Sequence, residues 1–266
     1  MPNPPRVLVV AGSDSSGGAG IQADIKAVTA LNAYAMTAIT ALTVQDTTGV
    51  HDVFPVPVPV IEAQARVVLA DIGADAIKTG MLGTVEVVEA VARLLDEANA
   101  PAVVDPVMIA KGGHALLPHE AVLAVRTLML PRAALVTPNA PEAEALTGVE
   151  VRDLDGQRRA AERLLDLGAR AALVKGGHVP SDTVVDLLLT PSGETLLEGP
   201  RIETRSTHGT GCTLASACAA GIAQGLPVEQ AVARAWAYVA EAIRTAPGYG
   251  RGHGPLNHAW PLDGRA

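Results

Sequence analysis

Short apolar runs alternate along this chain with longer segments of helical periodicity. Strands are predicted at 7–11, 38–44, 76–78, 102–105, 134–137 and 171–174. Helices are predicted at 21–31, 61–71, 85–97, 121–130, 141–146, 154–167, 209–224 and 228–243. Strands that lack polar alternation are typical of a parallel sheet covered on both faces. The pattern therefore predicts an α/β fold with a mostly parallel central sheet between helices.

Two segments depart from this alternation. Residues 184–189 and 194–198 are joined by a Pro-Ser-Gly turn, which predicts a hairpin. Prolines alternate with valines over 55–59, which predicts an extended segment at a sheet edge. The chain contains no linker rich in proline, glycine and serine, so residues 1–266 are expected to form a single domain.

Composition restricts the partners. The chain has 28 acidic and 20 basic residues, a net charge of −8, and only 2% aromatic residues. Binding to nucleic acid or to an anionic membrane is therefore not expected. The two cysteines, Cys212 and Cys218, have the spacing of neither a metal pair nor a disulfide framework, which favours the reducing cytoplasm.

Polar residues and glycines follow the apolar strands directly. In open parallel sheets, ligands bind beyond the carboxyl ends of the strands, so these residues should share one edge. They are Asp14, Gln45, Thr79, Gly80, Met81, Asp105, Asn139 and Lys175. Each alone also fits a turn, a helix cap or a solvated side chain, so their common position is the stronger signal.

The first glycine-rich loop, at 12–18, matches neither common nucleotide motif. It lacks the Lys-Ser/Thr pair of a phosphate loop, because Ala19 follows Gly18. It also lacks the third glycine and the later acidic partner of a dinucleotide fingerprint, which disfavours an NAD-dependent reductase. Asp24, four residues into the next helix, faces either the strand ends or solvent.

The second glycine-rich segment, 208–214, leads into an alanine-rich helix. Gly209, Thr210 and Gly211 would expose backbone N–H groups at the positive end of the helix dipole, where phosphates bind. The same field would lower the pKa of Cys212 and make its thiol a base or nucleophile. This combination suggests phosphoryl transfer, and the alternative is a plain helix cap with a buried thiol.

Four motifs together resemble the hydroxymethylpyrimidine/phosphomethylpyrimidine kinases of the ribokinase-like superfamily. The motifs are AGSDSSGGAGIQAD at 11–24, VVDPVM at 103–108, TPNAPE at 137–142 and GTGCT at 209–213. The resemblance runs from about residue 6 to residue 244, and Ser16 stands where the family usually has glycine. It implies a ribokinase-like three-layer sandwich and a role in thiamine biosynthesis.

The implied reaction uses ATP and Mg²⁺ to phosphorylate 4-amino-5-hydroxymethyl-2-methylpyrimidine, and then its monophosphate. By resemblance, the pyrimidine is bound by Gly12, Asp24, Gln45, Met81 and Val107. The implied phosphate and metal residues are Asn139 and Lys175 for ATP, and Asp105 and Glu142 for Mg²⁺. Gly209, Thr210 and Gly211 would form the anion hole, and Cys212 would take the hydroxyl proton.

Other functions remain open at this point. A pyridoxal or pyridoxine kinase would share the fold and the ATP site. A sugar kinase is disfavoured because Cys212 stands where most sugar kinases of the superfamily have aspartate. A non-catalytic pyrimidine-binding protein would have no use for metal and phosphate groups. A homodimer is possible, and segments 55–59 and 106–118 are candidate flaps over the site.

Overall fold

Nine strands form one sheet in the part of the chain that this computed structural model describes, residues 3–108, 116–179 and 181–262. The spatial order is β3-β2-β1-β4-β5-β6-β7-β8-β9. The strands are β1 (Arg6–Asp14), β2 (Tyr34–Asp46), β3 (Gly49–Pro55), β4 (Ala76–Thr79), β5 (Ala102–Val104), β6 (Ala133–Val136), β7 (Ala172–Val174), β8 (Thr183–Thr190) and β9 (Gly193–Pro200).

Strands β2, β1, β4, β5, β6 and β7 pair in parallel, while β3, β8 and β9 are antiparallel to their neighbours. The carboxyl ends of the six parallel strands consequently lie at one edge of the sheet. The prediction of a mostly parallel sheet is confirmed, and so is the hairpin, which is formed by β8 and β9.

Helices cover both faces of the sheet. One layer contains α2 (Val58–Asp71), α3 (Val85–Ala98), α4 (His119–Ala124), α5 (Ala140–Thr147) and α6 (Leu154–Asp166). The other contains α1 (Gly20–Ala30), α7 (Thr210–Ala223) and α8 (Val228–Arg244). None of the helices among the described residues combines the length and apolar character needed to span a bilayer.

The apolar run of β1 shows why the central strands lack polar alternation. Leu8 and Val10 pack into the core on the α2–α6 side. Val7, Val9 and Ala11 pack into the core on the α1, α7 and α8 side. Each successive side chain of a strand points to the opposite face, so a strand between two helical layers needs apolar residues at every position.

The prediction of an extended edge segment over 55–59 is confirmed at its start, in the edge strand β3, and is wrong at its end. Pro55 ends β3, and α2 already begins at Val58. Pro59 is tolerated because it lies in the first turn of the helix, where a missing N–H leaves no intrahelical bond unmade. Of the second candidate flap, residues 109–115 lie outside the described residues.

Candidate active site

A cleft of about 1000 Å³ opens at the carboxyl ends of the parallel strands. All but one of the residues that the family resemblance assigns to the site line it, although they come from seven different segments of the chain. The lining residues among them are Gly12, Gln45, Met81, Asp105, Val107, Asn139, Glu142, Lys175, Gly209, Thr210, Gly211 and Cys212. The cleft is large enough for a nucleotide and a small acceptor together.

Asp24 is the exception, and its predicted contact with the pyrimidine is wrong. Its side chain is fully buried, and both carboxylate oxygens accept from Nζ of Lys78, at 2.9 and 3.0 Å. The hydroxyl of Ser216 donates to Oδ1 at 2.7 Å. The Asp24 carboxylate is fully buried and does not line the cleft, so Asp24 instead anchors Lys78 in the cleft wall.

Lys78 is itself fully buried on β4, between Ile77 and Thr79. Burial alone would lower the pKa of its ammonium, but the charge of Asp24 raises the pKa well above its ordinary value. Lys78 also borders the cleft near Cys212. It therefore supplies a fixed positive charge at the floor of the site.

Helix α7 begins in the cleft without a side-chain cap. Its N-cap residue Gly209 has φ 79°, and a Cβ there would overlap the carbonyl oxygen of Gly18, so only glycine fits. The first helical hydrogen bond runs from N–H of Thr213 to the carbonyl oxygen of Gly209. Within the described residues, the amides of Gly211 and Cys212 find no acceptor, so they are available to an anion.

Cys212 lies in the first turn of α7, partly exposed to the cleft. Burial is the main cause that raises the pKa of its thiol to about 11; the charges of Asp24 and Asp105 act in the same direction, and the charge of Lys78 opposes them. The predicted lowering of the Cys212 pKa toward neutrality is therefore wrong for the free protein. Desolvation and two nearby carboxylates exceed the helix field here, so the side chain is a neutral thiol.

A second charged group faces the start of α7. Nζ of Lys175 donates to Oδ1 of Asp105 at 3.2 Å, and Thr137 donates to the same oxygen at 3.1 Å. Burial raises the pKa of the nearby Glu142 carboxyl to about 7, against the attraction of Lys175 and with the repulsion of Asp105. Two carboxylates and one ammonium therefore share a nearly dry corner of the cleft.

Asn139 and Glu142 close the start of α5 by reciprocal hydrogen bonds. Oδ1 of Asn139 accepts from N–H of Glu142 at 3.0 Å, and Oε2 of Glu142 accepts from N–H of Asn139 at 2.8 Å. This capping box fixes both side chains in the cleft wall. It leaves the amide nitrogen of Asn139 and Oε1 of Glu142 as the atoms free of the cap.

Asp14 organises the first glycine-rich loop. Its Oδ2 accepts from the backbone N–H groups of Gly18 at 3.1 Å and Ala19 at 2.7 Å. Its Oδ1 accepts from both N–H and the hydroxyl of Ser16. Burial would raise the Asp14 pKa, but the hydrogen bond with His208 and those of the loop lower it to about 2.

His208 is the side chain that contacts Asp14 from outside the loop, with its Nε2 lying 2.8 Å from Oδ2 of Asp14. The same nitrogen lies 3.0 Å from Nε2 of Gln45, and the imidazole is buried. His208 immediately precedes Gly209, so it joins the first loop to the start of α7. Sequence reasoning assigned it no role.

Comparison with known proteins agrees with this geometry. The family model of phosphomethylpyrimidine kinase matches residues 14–257 of the chain. The chain belongs to the phosphomethylpyrimidine kinase family. A hydroxymethylpyrimidine/phosphomethylpyrimidine kinase of Streptomyces coelicolor is 52% identical over 259 residues, which cover 97% of this chain and 96% of that protein.

Solved structures give the same family relationship. A phosphomethylpyrimidine kinase of Clostridium difficile is 38% identical with a TM-score of 0.81, covering 90% of this chain and 99% of that one. A pyridoxal kinase of Staphylococcus aureus, solved with AMP-PCP and pyridoxal, is 38% identical with a TM-score of 0.90, covering 96% and 94%. The predicted ribokinase-like α/β fold is confirmed.

Ser16 shows how this member of the phosphomethylpyrimidine kinase family accommodates its departure from the usual loop. The left-handed backbone positions of the loop are Gly17, at φ 77°, and Gly20, at φ 55°. Ser16 is not in that region, and its hydroxyl adds hydrogen bonds to the carboxylate of Asp14. The loop thus needs no glycine at this position.

Proposed function

We propose that this phosphomethylpyrimidine kinase family member transfers the γ-phosphoryl group of ATP to 4-amino-5-hydroxymethyl-2-methylpyrimidine, and then to the monophosphate, in thiamine biosynthesis. The main observation in support of this proposal is the start of α7, which has no side-chain cap. Its free amides lie in the same cleft as Asp105, Glu142 and Lys175, with an apolar-walled pocket at one end. A cleft of this kind suits a migrating phosphoryl group beside a flat heteroaromatic acceptor.

The residues at the acceptor end of the cleft are suited to binding a small heteroaromatic ring. Gly12, Met81 and Val107 line it with apolar surface, and Gln45 adds a polar group at its edge. A Cβ on Gly12 would come within 2.6 Å of the methyl carbon of Met81, so the glycine keeps this wall open for a ring. Polarisable thioethers pack well on aromatic faces.

The residues at the other end of the cleft, which we call the nucleotide end, are suited to binding ATP. From Lys175 the cleft continues between β9 and α8, where Pro200, Ile202 and Val239 contribute apolar walls for a base. The Lys175 ammonium would neutralise phosphate charge, and the amide of Asn139 would donate to it. Phosphoryl transfer depends on this alignment and charge neutralisation more than on covalent chemistry.

The residues present fit a magnesium ion. Asp105 and Glu142 offer hard carboxylate oxygens, and no group of three or more potential metal-ligating side chains occurs among residues 3–108, 116–179 and 181–262. Mg²⁺ keeps several waters and takes further oxygens from phosphates, so two carboxylates suffice. When bound, the ion would neutralise charge on the phosphates, and it would also remove the proton that Glu142 holds near neutral pH.

Cys212 is proposed to receive the proton of the acceptor hydroxyl. The thiol must first lose its own proton, so this role requires a bound state in which the pKa of Cys212 is lower than in the free protein. Cys212→Ala is expected to lower kcat by roughly 10²–10⁴ if base catalysis contributes. Near-normal turnover by that variant would exclude the role, and Cys212→Ser separates loss of the thiol from loss of side-chain volume.

The deciding experiment is a coupled assay of ADP formation with the pyrimidine alcohol, its monophosphate and pyridoxal in parallel. Phosphorylation of the first two supports the proposal. Preferential turnover of pyridoxal would favour the second candidate, which the match to the pyridoxal kinase fold keeps open. Binding of the pyrimidine without ADP formation would identify a non-catalytic pyrimidine-binding protein.

A homodimer is proposed to form through the projecting β2–β3 ribbon. Leu42 and Phe54 lie opposite each other in this antiparallel pair and are 50% and 54% exposed, and Val44 continues the same face at 49%. An exposed apolar stripe on an edge ribbon suits a second copy of the chain. Light scattering should give twice the chain mass, and Phe54→Asp should give the monomer.

The predicted cytoplasmic location is supported by the free thiols of Cys212 and Cys218.

A further inference from the structure

Asp14, His208 and Gln45 form a chain of polar side chains that leads from the first loop to the acceptor end of the cleft. Nε2 of His208 lies 2.8 Å from Oδ2 of Asp14 and 3.0 Å from Nε2 of Gln45. Asp14 and His208 are 3% and 6% exposed, whereas Gln45 is half-buried and lines the cleft. One ring nitrogen therefore has two polar neighbours and at most one hydrogen to share between them.

Asp14 determines whether that nitrogen carries the hydrogen. The carboxylate is kept ionised by donors from Ser16, Gly18 and Ala19, and an ionised carboxylate only accepts. If Nε2 of His208 were unprotonated, its lone pair would face a carboxylate oxygen at 2.8 Å. Nε2 of His208 is therefore protonated and donates to Asp14, whether the ring is neutral or charged.

A protonated Nε2 dictates the orientation of the Gln45 amide. The NH₂ group of Gln45 carries only hydrogens, so facing it toward His208 at 3.0 Å would oppose two donors. Turning the amide by 180° brings its oxygen to the same place, where it accepts a share of the Nε2–H hydrogen. The NH₂ group then occupies the other terminal position of the Gln45 side chain, which lines the cleft.

We propose that the Asp14–His208 pair is a positioning device that makes Gln45 a hydrogen-bond donor toward the acceptor substrate. This end of the cleft then selects a ring that presents a hydrogen-bond acceptor, such as an unprotonated ring nitrogen. A ring with C–H or N–H at that position would leave the amide donor unpaired. The identity of the ring rests on the proposed function, whereas the orientation of Gln45 depends on this chain alone.

The orientation is tested on the ligand-free full-length protein. ¹⁵N NMR of the imidazole nitrogens, with the His208 signals assigned by their loss in His208→Gln, should show His208 protonated at Nε2. Neutron diffraction should place a deuterium between His208 and Asp14, and the Gln45 oxygen toward His208. A His208 ring protonated on Nδ1 alone, or a Gln45 NH₂ group toward His208, would overturn the proposal.

The selectivity is tested with the pyrimidine alcohol and its two analogues in which one ring nitrogen is replaced by C–H. Wild type should prefer the parent over one analogue by about 10-fold or more in kcat/KM, as one lost hydrogen bond predicts. His208→Leu should lose most of this preference through a higher KM for the parent. His208→Gln, which keeps an amide donor near the position of Nε2, should retain most of it.

A purely structural role for His208 would slow all three substrates alike, so an unchanged preference in a folded His208→Leu protein would refute the proposal. Gln45→Glu supplies the same test if His208→Leu does not fold, because it keeps the oxygen but removes the NH₂ group. Wild type that phosphorylates none of the three compounds would refute the proposed function instead. The NMR and diffraction results would still decide the orientation of Gln45.

Discussion

Replacing Asp14 by asparagine is expected to destabilise the fold by an amount that depends on pH. In the native state the carboxylate accepts hydrogen bonds from Ser16, Gly18, Ala19 and His208, and its pKa falls from 3.8 to about 2. That pKa difference corresponds to about 2 kcal/mol of stability. Because the native pKa is depressed, this contribution is complete above pH 3.8 and is lost as the pH falls through 2.

Urea unfolding of wild type and Asp14→Asn, followed by tryptophan fluorescence, measures the effect. At pH 7 the variant should be less stable by about 2 kcal/mol, and near pH 3 by about half as much. Asp71→Asn, at the exposed end of α2, is the matched control and should change stability little at either pH. Equal destabilisation by Asp14→Asn at pH 7 and pH 3 would show that its charge is not what secures the loop.

Three further outcomes test the electrostatics of the cleft. The apparent Mg²⁺ affinity is measured from initial rates against the concentration of free Mg²⁺. It should rise about tenfold per pH unit up to pH 7 and then level off, because Glu142 must lose its proton before it binds the ion. A pH-independent affinity would contradict this. Alkylation of Cys212 by iodoacetamide in the free enzyme should keep accelerating to about pH 11, and a plateau near pH 8.5 would disprove the raised thiol pKa. Asp24→Asn should lower the free energy of unfolding in urea by about 3–5 kcal/mol, because it removes the ion-pair partner of the buried Lys78 ammonium. An unchanged free energy of unfolding would contradict a stabilising role of this ion pair.

The fold was largely predictable because its signals are local. Apolar runs such as that of β1 and the helical periodicity of α3 and α8 require no knowledge of distant contacts. The end of segment 55–59 was mispredicted because prolines fit an extended edge and a first helical turn equally well. The strand β3, over Gly49–Pro55, went unpredicted because its exposed, mixed residues lack a buried face.

The site was predictable where residues follow strands, and less so where a role depends on partners from elsewhere in the chain. Asp24 pairs with Lys78, 54 residues away, and His208 pairs with Asp14, 194 residues away. One signal could have found the first pair: a lysine inside a fully apolar strand needs a buried counter-charge. The raised Cys212 pKa results mainly from burial of the thiol, with the charges of Asp24 and Asp105 beside it, and the local helix field reveals neither cause.

His208 and Gly209 are neighbours in the chain, although one contacts the acceptor-reading amide and the other begins the phosphate-binding helix. A substitution at His208 that alters which ring this enzyme accepts therefore also disturbs the neighbouring backbone that binds the anion. Descendants with a new acceptor would be expected to alter Gln45 or Met81 first, and to keep the histidine unchanged.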